Sequence, residues 1–418
     1  MSDSTGPTEA APAAAPVPAT PVAPAEDAKR DAPSESEDDE MGPMPISAGE
    51  ERAKRRKTLQ FEKLYLDQLP NADRYSKSLM HRDTINFCTV TPHTNFVITT
   101  SVDGRVKFWK KQAQDIEFVK HYNAHLAIIL GISVSSDGAY FSTISADGTA
   151  KIFDVINFDM INMLELKYTP RACVWVHRRG SADLLLAVAE ENSPAVHFYD
   201  GRGDGTPLYT ARVHKKPCHL LAYNEPHNCV VSADTGGMIE YWRPSEPFVQ
   251  PPSVFSLKSA TDLFEFKKCK TAPSSLTFSP DYTQFVTTSM GDRQVRVFSF
   301  AKGKLLRKYD ESLGASQEMQ QAGTAFYQLD DMEFGRRLAV ERDLDATALT
   351  GLEDASSNAS GASTANAVFD ESGNFVLYAT LLGIKGMSIR NAAHPQWSMS
   401  RQTRLHLSLI HISEPTRR

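Results

Sequence analysis

The sequence has few cysteines, and no two of them stand at the spacing of a metal or redox motif. Its five cysteines are Cys88, Cys173, Cys218, Cys229 and Cys269. An odd number of scattered thiols without a Cys-x-x-Cys pair is typical of an intracellular protein that keeps them reduced. The pattern argues against a disulfide-stapled secreted domain and against a cysteine-rich zinc site.

Long apolar runs and a secretory leader are also missing. The longest apolar stretch, around residues 126–134, is far too short to span a bilayer. The N-terminus is rich in Ala, Pro and acidic residues and has neither the basic nor the apolar region of a signal peptide. We therefore expect a soluble, intracellular chain with no membrane partner.

The usual motifs of catalysis and cofactor binding do not occur. The sequence has no Gly-x-x-x-x-Gly-Lys-Ser/Thr loop, no Gly-x-Ser-x-Gly elbow and no His-Glu-x-x-His pair. Its histidines are dispersed without ligand spacing, and the glycine-rich run 201–205 is predicted to be a surface loop. A net charge of −6 gives no reason to expect nucleic-acid binding. We expect no cofactor, metal, small-molecule ligand or catalytic residue.

What the sequence does contain is a repeat. Short β-rich runs that end in an aromatic residue recur along the chain, with the final aromatics at positions 109, 153, 199, 242 and 298 and intervals of 44, 46, 43 and 56 residues. Asp147-Gly148 separates two such runs and suits a tight hairpin, since Gly accepts a positive φ. A period in the low forties with four short strands per repeat predicts an all-β propeller. The first two strands of blade one are predicted at residues 85–90 and 96–101.

Composition divides the chain into four parts. Residues 1–48 form an Ala/Pro-rich acidic tail that is predicted to be disordered, and Ser34 and Ser36 within it are candidate phosphorylation sites. Residues 49–70 are predicted to form a helix that is basic first and amphipathic afterwards. The propeller is predicted over residues 80–385 with an insertion at 311–366, and residues 386–418 follow it. The basic half of the helix fits a nuclear-import signal, with a plain charged face as the alternative; its cations are Lys54, Arg55, Arg56 and Lys57.

The repeats resemble the WD-repeat pattern. In that family a His before the first strand, a Ser or Thr on the second, an Asp in the next turn and a Trp on the third can form a hydrogen-bonded network. Matching residues are His81, Asp103 and Trp109 in blade one, His125 and Asp147 in blade two, and Trp242 in blade four. Blade two has Phe153 in place of the Trp, so it lacks the indole donor. A structural role for His125 is expected rather than a role as catalyst or metal ligand.

Several non-repeat stretches are similar to one group of WD-repeat proteins, the nuclear cyclophilins that carry a propeller ahead of a peptidyl-prolyl isomerase domain. These stretches include residues 57–67, 153–164, 262–266 and 332–337. The resemblance implies a propeller scaffold, a nuclear location, spliceosomal protein partners and an isomerase in the full-length protein. The cyclophilin motifs Phe-His-Arg and Phe-x-x-Gln-x-Gly-Asp do not occur in this sequence, so no catalytic residue carries over and we expect this chain to be inactive.

The end of the sequence departs from the repeat. From Gly386 the blade pattern is lost, and residues 407–417 look like a translated sequencing adaptor. We therefore expect residues 386–418 to be non-native and the chain to be a truncated copy, with about six visible blades of a ring of seven. A genuine C-terminal strand is the alternative. A stand-alone WD-repeat adaptor of a ubiquitin ligase or chromatin assembly is the alternative function.

Overall fold

The structure is a computed structural model that describes residues 60–61, 64–66, 81–113, 116–289, 291–323, 329–353, 366–389 and 397–399, the last range and residues 344–353 by their backbone only. The chain divides into a unit of residues 1–55, outside the described residues, and a unit of residues 56–418. The predicted tail with Ser34 and Ser36 and the predicted import residues 54–57 therefore lie outside the description. Of the predicted helix 49–70, residues 60–61 and 64–66 are described; the first two form a turn and the last three are helical.

Six antiparallel sheets form the six blades of a β-propeller, which confirms the predicted fold. Within each sheet the strands follow one another in chain order. The first three blades contain β1 (Ile85–Val90), β2 (Phe96–Ser101), β3 (Arg105–Lys111), β4 (Ile116–Asn123), β5 (Ile129–Val134), β6 (Tyr140–Ser145), β7 (Thr149–Asp154), β8 (Asp159–Glu165), β9 (Pro170–Val176), β10 (Leu185–Glu190), β11 (Val196–Asp200) and β12 (Tyr209–Ala211). The other three contain β13 (Cys218–Asn224), β14 (Cys229–Asp234), β15 (Ile239–Trp242), β16 (Ser275–Phe278), β17 (Gln284–Ser289), β18 (Gln294–Ser299), β19 (Lys304–Asp310), β20 (Ala367–Phe369), β21 (Phe375–Thr380), β22 (Gly383–Ser388) and β23 (Trp397–Met399).

The apolar core lies between the blades. The first strands of successive blades, β1, β5, β9, β13, β16 and β20, are neighbours in that order. Ile98 and Phe108 of blade one pack with Phe141 and Phe153 of blade two, and Phe198 of blade three belongs to the same cluster as Trp242 of blade four; the first four of these side chains are fully buried. Because each blade buries one face against the next, the blades stabilise one another in sequence.

Blade four differs from its neighbours because its sheet has three strands. In place of a fourth strand, residues 243–274 form a link between β15 and β16 that contains a short helix, α1 (Glu265–Lys268). The fully buried ring of Phe266 and the buried Leu263 fix this link in the core between blades four and five. In the sequence this link is visible only as the longer interval of 56 residues between the aromatics at 242 and 298.

Two helices occupy the stretch between β19 and β20, where an insertion is predicted. They are α2 (Leu313–Gln321), capped by the Ser312 side chain, and α3 (Asp331–Glu353). Phe334 and Leu338 of α3 pack on Leu381 and Leu382 of blade six. Among the described residues no helix is both long and apolar enough to cross a membrane.

Blade six continues beyond residue 385, the predicted end of the propeller. The third strand of blade six continues through Ser388, and Trp397–Met399 pairs with it as a fourth strand. Lys385 lies opposite Ser398 and Gly386 lies opposite Trp397. Glycine lacks a side chain that favours a strand, but a sheet ladder uses only the backbone amide and carbonyl, so Gly386 does not interrupt it.

Candidate functional site

The predicted WD-repeat residues of blade one meet around a buried hydroxyl. Trp109 Nε1 donates to Thr99 Oγ1 at 2.8 Å, and the same oxygen is 2.7 Å from His81 Nε2. A hydroxyl has two lone pairs and one proton, so it can satisfy both rings. Burial, with a further contribution from Lys107, lowers the pKa of His81 to about 4, so this imidazole is neutral at pH 7.

Asp103 forms hydrogen bonds with residues of the adjoining turn and none with His81. Its carboxylate accepts the Ser101 hydroxyl and the backbone N–H of Arg105, and it pairs with Arg105 Nε at 3.2 Å. The other ring nitrogen of His81, Nδ1, has no hydrogen-bond partner among the described residues. The structure therefore joins His81 to Trp109 but leaves Asp103 outside their hydrogen bonds, because Arg105 and the turn occupy its carboxylate.

Blade two brings its predicted pair into direct contact. His125 Nδ1 lies 3.1 Å from Asp147 Oδ2, and His125 Nε2 lies 2.8 Å from the Thr143 hydroxyl. Burial lowers the pKa of His125, against the opposing effect of Asp147. Burial also works against ionised Asp147, but hydrogen bonds from Thr149 and His125 lower the pKa of this carboxyl below its ordinary value.

Blade four contains a complete network of which the sequence analysis named only Trp242. Trp242 Nε1 donates to Ser232 Oγ at 2.8 Å, and His214 Nε2 lies 2.6 Å from that oxygen. His214 Nδ1 is 3.5 Å from Asp234, whose other oxygen accepts two backbone N–H groups of the next turn at 2.9 Å. His214 was treated as one of several dispersed histidines. Its spacing would have identified it, because the His precedes the hydroxyl residue by 18 positions in all three blades.

Blade five has a buried arginine in place of the histidine networks of blades one, two and four. Arg296 is fully buried, and its guanidinium pairs with Asp292 and donates to Gln294 Oε1 at 2.7 Å. The guanidinium carbon also lies 4.7 Å from the ring centroid of Phe266 on the link. No sequence signal pointed to this residue, since a charged side chain in a strand ordinarily faces water.

These clusters stiffen the blades and have no arrangement suited to catalysis. His81, His125 and His214 are each hydrogen-bonded to a hydroxyl of their own blade. Within the described ranges no group of three or more His, Cys, Asp or Glu residues could hold a metal ion. Polar groups that are buried and paired in this way fix side-chain positions and hold the turns between strands.

We expect Thr99→Val to destabilise the protein more than Trp109→Phe. The Phe variant removes one donor and leaves the Thr99 hydroxyl bonded to His81, at a cost of about 1 kcal/mol. The Val variant leaves both His81 and Trp109 without their buried partner, at a cost of roughly 2–4 kcal/mol. Urea unfolding of the two variants measures the difference, and equal losses would contradict this account of the shared hydroxyl.

Stability is expected to fall between pH 7 and pH 5. His81, His125 and His214 have a pKa that burial lowers in the folded chain, and for His81 it is about 4 instead of 6.5. As the pH falls below 6.5 the unfolded chain therefore binds protons that the folded chain does not, and folding loses free energy until about pH 4. Asp147 adds a loss at lower pH, because its pKa is lowered from 3.8. Urea midpoints at both pH values test this, and a His125→Gln variant should show a smaller change.

Comparison with known proteins agrees with the geometry. The family "WD domain, G-beta repeat" matches residues 75–110 and 116–154. The chain is 53% identical over 357 residues to peptidyl-prolyl cis-trans isomerase cyp15 of Rhizopus delemar, covering 84% of this chain and 55% of that protein. It is 46% identical to peptidylprolyl isomerase domain and WD repeat-containing protein 1 of Mus musculus, with 85% and 53% covered. It is 44% identical to peptidyl-prolyl cis-trans isomerase CYP71 of Arabidopsis thaliana, with 85% and 54% covered.

The chain spans about half the length of the curated relatives that it matches. The identity extends far beyond the two matched repeats and includes most of the propeller. The chain belongs to the family of WD repeat-containing cyclophilin-type peptidyl-prolyl isomerases, as its non-repeat stretches predicted.

Proposed function

We propose that the propeller is the protein-interaction scaffold of a nuclear peptidyl-prolyl cis-trans isomerase that works in pre-mRNA splicing. The observation that carries the proposal is the 53% identity over 84% of the chain to a protein named a peptidyl-prolyl cis-trans isomerase. WD-repeat propellers generally mediate protein–protein interactions. In the full-length protein the scaffold would bring the isomerase to X–Pro bonds of an assembly, where the uncatalysed rotation barrier is about 18–20 kcal/mol.

The surface of the propeller supports a binding role. The outer strand of blade two, β8, exposes three large apolar side chains, Met160, Ile161 and Met163, to between 43% and 48%. Flexible methionines adapt to partners of different shape, and grouped exposed apolar residues are typical of interaction sites.

Purification from nuclear extract tests the function. The affinity-tagged chain of 418 residues is expected to copurify spliceosomal proteins and pre-mRNA, identified by mass spectrometry and by reverse transcription. A WD-repeat propeller of similar size from another complex is the matched control. Recovery of ubiquitin-ligase or chromatin-assembly subunits in place of splicing proteins would replace this proposal with the adaptor alternative.

The nuclear location has its own test. Replacing Lys54, Arg55, Arg56 and Lys57 together by alanine is expected to move a fluorescent fusion from the nucleus to the cytoplasm, because an import receptor recognises the clustered cations. Alanine at Lys110, Lys111, Lys215 and Lys216, four exposed lysines of the propeller, removes the same charge and should leave the fusion nuclear. An unchanged distribution in the first variant would refute the import signal.

A further inference from the structure

Blade five and the link before it have a net positive charge, although the chain as a whole is acidic. Residues 258–310 contain ten Lys or Arg residues and five Asp or Glu residues, a net charge of +5, whereas the whole chain has a net charge of −6. The remaining residues therefore have a net charge of −11. A local charge of opposite sign to the rest of the molecule is a feature that steers a partner of complementary charge.

The link is held firmly against the outer edge of blade five. Asp262 pairs with Lys304 of β19 at 3.5 Å and accepts the backbone N–H of Leu305 at 3.0 Å, while Glu265 pairs with Lys308 at 3.6 Å. The backbone N–H of Asp262 donates to Gly303 O at 2.8 Å. Together with the buried Phe266, these contacts give the link a fixed position along β19.

These contacts occupy the carboxylates of Asp262 and Glu265. The side chains of Lys267, Lys268, Lys270 and Lys302 are exposed, and we call these four residues the basic link surface. The structure gives their ammonium groups no hydrogen bond or ion pair to any described residue. Unpaired ammonium groups displayed by an ordered backbone form a binding site for an anionic partner with little ordering cost.

We propose that the basic link surface docks an acidic polypeptide segment of a partner protein, rich in Asp and Glu. This assignment is independent of the splicing proposal. Addition of a partner strand to β19 is disfavoured, because Lys304 and Lys308 stand on that edge strand. Carboxylates of a flexible acidic segment can instead reach the four ammonium groups from solvent.

An acidic peptide fits this surface better than a nucleic acid does. Single-stranded RNA binding ordinarily uses open aromatic rings for base stacking. Here Phe266 is buried, and Phe264 is half-buried with Lys258 Nζ 5.0 Å from its ring centroid. The negative charge of the rest of the chain would also repel a long polyanion, whereas a short acidic segment can contact the positively charged residues 258–310 alone.

Fluorescence anisotropy with a labelled Asp/Glu-rich peptide tests the proposal. The triple variant Lys267→Glu, Lys268→Glu, Lys270→Glu is expected to weaken peptide binding roughly ten-fold or more, since each reversal converts an attraction into a repulsion. The triple variant Lys110→Glu, Lys111→Glu, Lys215→Glu alters exposed residues of other blades and changes the net charge equally. It should keep most of the wild-type affinity.

Three outcomes would overturn the proposal. They are absence of peptide binding by the wild-type chain, an equal loss in both triple variants, and tighter binding of a single-stranded RNA of equal charge through the same lysines. Because all six substituted side chains are exposed, both variants should fold. Unchanged circular dichroism and thermal midpoints verify this before binding is compared.

Discussion

Replacing Gly104 with alanine is expected to lower the free energy of unfolding by roughly 2–5 kcal/mol. Gly104 follows Asp103 in the turn between β2 and β3 and has a φ of +77°, a conformation that costs an alanine about 1–2 kcal/mol. In addition, a Cβ at this position would overlap the carbonyl oxygen of His125 at the start of blade two. Since that oxygen belongs to the backbone, relieving the clash requires a backbone shift of this turn or of the segment that leads into β5.

Gly148 provides a matched control for this substitution. It occupies the equivalent turn of blade two after Asp147 and has a φ of +76°. The nearest atom to a Cβ here is Leu166 O at 3.4 Å, an ordinary contact. Gly148→Ala should therefore show only the conformational cost of about 1–2 kcal/mol. Urea unfolding of both variants isolates the contribution of the blade contact, and equal losses would show that the contact does not constrain the turn.

Replacing Arg296 with methionine is expected to cost roughly 3–5 kcal/mol, because it leaves the Asp292 carboxylate without its buried partner. The Arg296 side chain is fully buried and that of Asp292 is 18% exposed. The substitution also removes the contact between the Arg296 guanidinium of blade five and the Phe266 ring of the link. Thermal and urea unfolding measure the loss.

Two further variants separate charge from packing in this cluster. The double variant Arg296→Met, Asp292→Asn should recover part of the stability, since no unpaired charge then remains. Arg105→Met, which breaks a partly exposed pair with Asp103, should cost no more than about 1 kcal/mol. If Arg105→Met were as harmful as Arg296→Met, burial of the Arg296 pair would not be the cause of its importance.

The general fold could be read from the sequence because the repeat is encoded locally. Each blade contains its own strands and turns in chain order, so a period of aromatic residues is enough to locate it. The strands predicted at residues 85–90 and 96–101 have the observed bounds of β1 and β2. The family was also correctly predicted, because its resemblance rests on stretches that lie outside the repeat.

The features that sequence reasoning missed depend on contacts between distant residues. The residues next to Arg296 in the sequence do not indicate a buried guanidinium, because the Phe266 ring that covers it lies 30 positions earlier in the link. Likewise the missing fourth strand of blade four follows from the packing of Leu263 and Phe266. Blade six also extends past the predicted boundary at residue 385, since Gly386 has a weak strand propensity while its backbone still pairs with Trp397.

The antiparallel strands of each blade follow one another directly in the chain, and this has a consequence for synthesis on the ribosome. A blade needs no residue from a later blade to complete its hydrogen-bonded ladder, so it can form soon after its last strand emerges. Covering the apolar side takes longest for blade five, because residues 311–366 must be synthesised before β20 and β21 of blade six can pack on it. Blade five is therefore the point in translation at which the apolar side turned toward the next blade stays exposed longest and most needs a chaperone.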